Sequence, residues 1–111
     1  MMHAKAYVPA PIILEEVCVA FGLHMEELRS QERHGAAFAV ARNAAALLMA
    51  ERTPMSAVEI GRALGRRDPT TGRYNVMQGR TRLLEDDRFA ATVRLIEARI
   101  DARFSTEPHV A

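Results

Sequence analysis

Apolar residues recur at three- and four-residue intervals along most of this chain, the spacing of helices that bury one face. In the segment Pro11 to Phe21, Ile13, Val17 and Phe21 share a face with Leu14 and Ala20, and Gly22 closes it as a C′ residue. Leu23, Met25 and Leu28 predict a short second helix that stops near Ser30. A polar loop, S-Q-E-R-H-G, leads to the most helix-prone stretch, Ala36 to Arg52. There Val40, Ala44, Leu47 and Leu48 align, and Arg42 and Asn43 fall on the far side. Thr53-Pro54 stops it. The last stripe is Phe89, Val93, Ile96, Ile100 and Phe104, opened by Asp86-Asp87.

Between these lies the stretch that carries the chemistry, Ser56 to Arg82. Ser56 and Glu59 form the S-x-x-E pattern of a capping box, and Ala57, Ile60, Ala63 and Leu64 face inward from the helix that follows. Gly65 and the basic pair Arg66-Arg67 make a turn. Asp68-Pro69 then reads as an N-cap and first helical position, starting a helix over 70–85. Val76, Leu83 and Leu84 give that helix an apolar side. Gly72 and Gly79 each weaken it by roughly 1 kcal/mol relative to Ala, so a bend near Gly79 is expected. Two helices across a short Gly-containing turn are a helix-turn-helix pattern, whose second helix meets bases with its N-terminal residues. Here those are Pro69, Thr70, Thr71, Arg73 and Tyr74.

The expectation is one all-α domain over 11–104, with about six helices. A flexible N-terminal arm at 1–10 precedes it, and a tail at 105–111 follows. The 111 residues carry a formal net charge of only +1, but that charge is polarised. Ile60 to Arg82 holds six Arg and one Asp, whereas Met1 to Glu32 holds five Glu against Lys5 and Arg29. A basic stretch confined to one element is the footprint of a nucleic-acid binder.

Other chemistries find no pattern. His3, His24, His34 and His109 share no ligand spacing with Cys18 or one another, so neither a metal nor a cofactor is expected. The acidic pairs Glu15-Glu16, Glu26-Glu27 and Asp86-Asp87 are sequence neighbours that diverge on a helix, and no catalytic dyad or nucleophile context is present. The expectation is a non-enzyme. Cys18 reads as a buried hydrophobe, and no apolar run approaches the ~20 residues of a membrane span, which suits a cytoplasmic, nucleoid-associated protein.

The ordered set F-G-L, L-R-S, A-R-N-A-A-A-L-L, E-R-T and S-A-V-E-I-G-R-A-L-G-R-R-D-P-T-T resembles the C-terminal helix-turn-helix domain of the bacterial replication initiator DnaA, from about Ile12 to Phe104. The resemblance implies an all-helical, TrpR-like module that binds duplex DNA. Arg67, Asp68, Thr70 and Thr71 fall on the family's R-D-x-T-T signature for the major groove and its flanking phosphates. Arg42 and Asn43 match its Arg-Gln pair at the backbone and groove edge. Arg33 falls beside its minor-groove Arg, one residue out of register. Pro69 stands where the family has His, and Gly72 where it has an apolar residue, so a different target sequence or weaker binding is expected. No G-x-x-x-x-G-K-[ST] occurs, so no bound nucleotide is expected.

Together these readings predict a stand-alone, sequence-specific regulator of transcription. Arg33 would enter the minor groove; Arg42, Arg66 and Arg67 would neutralise phosphates; Thr70, Thr71, Arg73 and Tyr74 would read the major groove. Stand-alone domains of this kind include activators of gene transfer agents, which adds a second regulatory protein or RNA polymerase to the expected partners. The alternatives are a replication-associated factor on initiator-type sites and an adaptor that has lost DNA binding.

Overall fold

The computed structural model describes residues 7–30, 35–66 and 68–104, and all regular structure among them is helical. In chain order the helices are α1 (Ala10–Phe21), α2 (Met25–Leu28), α3 (Ala36–Arg52), α4 (Ala57–Ala63), α5 (Thr71–Glu85) and α6 (Asp87–Phe104). The all-α expectation holds. The boundaries that local chemistry sets are also met. Gly22 adopts the left-handed conformation at φ 66°, and Ser56 and Glu59 exchange both capping-box bonds.

α3 is the axis of the fold. α1, α2, α4, α5 and α6 all pack against it, and α1 and α6 also pair with each other. Every residue from Ala41 to Met49 is therefore buried, the pattern of a helix enclosed on all sides. The run of small alanines permits this, because neighbouring backbones can approach closely. Placing Arg42 and Asn43 on an outward face is thus corrected: both are buried, because the side opposite the Leu47–Leu48 stripe also has a neighbour. Around α3, Ile13 and Val17 of α1, Leu28 of α2, Ile60 and Leu64 of the α4 region, and Val93, Ile96 and Ile100 of α6 complete the core. Each such side chain contributes about 1.5–3 kcal/mol by leaving water.

Three further expectations change. Val8 belongs to the core, not to an arm, and its N–H donates to the Arg52 carbonyl at 2.9 Å. Residues 1–6 and 105–111 lie outside the described residues. Leu84 and Phe104 stand in solvent although both fit apolar stripes, and each lies in the last turn of its helix. Glu16 is buried where α1 meets α6, held by Arg99 at 2.8 Å and Arg103 at 3.3 Å, while Glu15 takes Arg103 at 3.1 Å. The two neighbours, expected to diverge on the helix, thus share Arg103 and tie α1 to α6.

α5 runs as unbroken helix through Gly79. A Cβ at Gly79 would come 2.6 Å from the Asn43 carbonyl oxygen and 3.0 Å from Leu47 Cβ. Glycine is there so that α5 can lie close on α3, and that packing offsets its poor helix propensity.

Candidate nucleic-acid interface

The helix-turn-helix consists of α4, the turn and α5. Gly65 turns the chain at φ 76°, and any Cβ there would strike the Arg29 carbonyl. That contact seats the turn against the end of α2.

The second helix begins later than Asp68-Pro69 suggests. Asp68 does not cap in the simple sense; its Oδ1 accepts from the Thr70 N–H at 2.8 Å and the Thr70 hydroxyl at 2.7 Å. The Thr71 N–H donates to the Asp68 carbonyl, and helix geometry starts at Thr71. Asp68-Pro69-Thr70 is therefore a rigid turn ahead of the helix. The Asp68 carboxyl titrates below its ordinary value, chiefly because the Thr70 N–H stabilises the charged form. Pro69, Thr70, Arg73 and Tyr74 are exposed, and Thr71 is half-buried. The hydroxyl of Thr70 is oriented, with its proton on Asp68 and its oxygen lone pairs outward.

Arg66 flanks this turn. It is partly buried, which pulls its pKa down, and its charge lies close enough to Arg42 to lower that pKa as well, after burial. No carboxylate among the described residues forms an ion pair with either guanidinium. Arg67, the next residue, and Arg33 both lie outside the described residues.

Arg42 makes its hydrogen bonds within the fold. Its Nε donates to the Leu28 carbonyl at 2.9 Å, and its Nη2 to those of Glu27 and Ser30 at 3.2 and 3.1 Å. These carbonyls lie at and just past the end of α2, and a guanidinium fork suits them by charge and geometry. Arg42 thereby fixes Ser30, the residue from which segment 31–34 departs, beside the helix-turn-helix. Asn43 likewise points inward. Its Nδ2 donates to Asn75 Oδ1 at 2.9 Å, and its Oδ1 accepts from Arg82 Nε at 2.8 Å. Asn75 Nδ2 donates in turn to the Thr71 carbonyl at 3.0 Å. This chain of amides sets the roll of α5 from α3.

Sequence reasoning missed Asn75 and the glycine contacts, whose roles depend on neighbours distant in the chain. It also missed a groove between α4 and α5. Arg73, Met77 and Arg80 line it from α5, with Ala57, Ile60 and Val76 nearby. The i, i+4, i+7 spacing of the first three was a readable signal.

A family model for the bacterial DnaA protein helix-turn-helix matches residues 11–78. Chromosomal replication initiator proteins DnaA from two strains of Chloroflexus aurantiacus are each 34% identical to this chain over 93 residues. The match covers 84% of this chain and 19% of each relative, so the chain spans about a fifth of the length of the curated relatives it matches.

Proposed function

The chain belongs to the bacterial DnaA helix-turn-helix family, and from that membership we propose that it binds duplex DNA sequence-specifically and acts as a transcriptional regulator. The observation that carries this is the start of α5. Thr70 and Thr71 stand at an exposed helix N-terminus, held by Asp68, with Arg66, which pairs with no carboxylate among the described residues, alongside. Arg66 and the neighbouring Arg67 supply charge for phosphates, which fixes register. Thr70, Thr71, Arg73 and Tyr74 meet base edges, and Pro69 offers an apolar surface to a thymine methyl. Arg33 enters the minor groove. Arg42 and Asn43 support the interface from beneath. The protein acts on the nucleoid.

The test begins with fluorescence anisotropy on random duplex and on duplex selected from a randomised pool. Affinity falls linearly with log salt, because phosphate contacts release counterions. Thr71→Val loses about 1–3 kcal/mol on the selected site and far less on random duplex. Equal losses on both remove Thr71 from base reading. Failure to bind any duplex at low salt sinks the proposal and leaves the adaptor reading. Occupancy across the host genome then separates regulation from replication. Peaks at promoters support the regulator, and peaks at the origin support a replication-associated factor, a reading favoured by the names of the matched relatives.

A further inference from the structure

We infer that the groove between α4 and α5 docks an acidic amphipathic helix of a partner protein, an interaction that does not rest on the DNA-binding reading. The groove encloses about 560 Å³, within the roughly 300–1,000 Å³ of ligand-sized clefts. Its lining is mixed: Ile60 and Val76 at the floor are almost fully buried, with Ala50 beside them, and the two arginines supply much of the exposed surface. Met77 stands over that floor with 56% of its surface in water. Arg73 and Arg80 bracket Met77 along α5, and no carboxylate among the described residues lines the groove. Neither Arg forms an ion pair with another described residue. Seven residues of helix separate the two guanidinium stems by about 10 Å.

Charge complementarity defines the occupant. Two carboxylates two helical turns apart would meet Arg73 and Arg80, and one bulky apolar side chain between them would cover Met77 and fill the floor. Arg and Met are favoured at protein interfaces, and a flexible Met adapts to the shape of an incoming side chain. A DNA backbone would use the two charges but leave the exposed Met77 uncovered, so a protein helix uses more of the surface on offer.

The test is selection of a phage-displayed random 16-residue peptide library on the whole chain, followed by fluorescence polarisation of the synthesised winners. Winners carry an apolar residue flanked by Asp or Glu. Met77→Glu and Arg80→Glu each weaken their binding by about tenfold or more. Exchanging the peptide acid that faces Arg80→Glu for Lys restores it. Both substituted positions are exposed, and circular dichroism melting checks that the variants stay folded. Random-duplex affinity is measured on the same samples. Winners without the acidic-apolar pattern, or winners that bind Arg80→Glu as well as the native chain, overturn the inference. So does a result in which no peptide emerges and Met77→Glu and Arg80→Glu weaken duplex binding instead, which assigns the groove to nucleic acid. Loss of duplex binding by the native chain, with peptide binding intact, would refute the DNA reading alone.

Discussion

Gly61 and Gly72 meet where α4 crosses α5, so closely that a Cβ on Gly61 would lie 3.1 Å from the Gly72 backbone nitrogen. On the other side of the contact, a Cβ on Gly72 would collide with the Ala57 carbonyl and come 2.7 Å from the Gly61 nitrogen. Backbone meets backbone here, and backbone cannot rotate away. The crossing angle of the helix-turn-helix is set by the absence of two side chains.

Gly72→Ala should therefore destabilise the domain by about 1–3 kcal/mol or more, although alanine is the better helix former. Gly61→Ala should cost less, since its nearest contacts need to yield by only a few tenths of an ångström. Urea denaturation of the two variants checks the order. A Gly72→Ala protein as stable as the native one would mean that α5 can move off α4 freely.

Arg42→Ala should behave as a folding variant. It strips the charged donor from the carbonyls of Glu27, Leu28 and Ser30, for a loss of about 2–3 kcal/mol. Arg42→Lys should recover little of that, because an ammonium cannot reproduce the planar fork. Thermal melting without DNA is the measurement. An Arg42→Ala melt that matches the native one, with DNA binding weakened, would return Arg42 to direct phosphate contact.

The amide pair between α3 and α5 gives a coupling that can be measured. Single and double alanine variants of Asn43 and Asn75 should show an interaction energy of about 1 kcal/mol in a double-mutant cycle. Asn43→Ala should be the costlier single change, because it also leaves Arg82 without its acceptor. Strict additivity would mean that the two amides act independently and that α5 is oriented by packing alone.

Much of this arrangement could be read from the chain, and the residues that escaped share a cause. The span of α3, the Ser56 capping box and the Gly22 terminus depend on neighbours within four residues, so local chemistry specifies them. Asp68 was found for the same reason, although its carboxylate acts through Thr70 and the helix starts two residues later than an Asp-Pro cap implies. Arg42 and Asn43 were misplaced because a helical stripe says which face is buried but not whether a second neighbour covers the opposite one. Gly79 was read as a weak point because propensity counts backbone entropy and has no knowledge of the Asn43 carbonyl it lies against. Asn75 looked like any polar helix residue until α3 was placed beside it.

Acid should loosen the α1–α6 contact before the rest of the fold. Glu16 is buried with its carboxylate on Arg99 and Arg103, and the Arg99 hydrogen bond pulls its pKa below the ordinary 4.5 against the opposing effect of burial. A carboxyl depressed in the folded state adds stability that is complete above the unfolded value and is lost as pH falls through the folded one. The loss thus falls below about pH 4.5, and stability at neutral pH is insensitive to this group. Glu16→Gln should cost about 1 kcal/mol at pH 7, because both arginines remain substantially exposed and water screens the pairs. The deficit should shrink toward zero as the native protein is acidified. Urea midpoints of the two proteins between pH 7 and pH 3 give the comparison, and a deficit constant with pH would show that the Glu16 charge contributes nothing to holding α1 on α6.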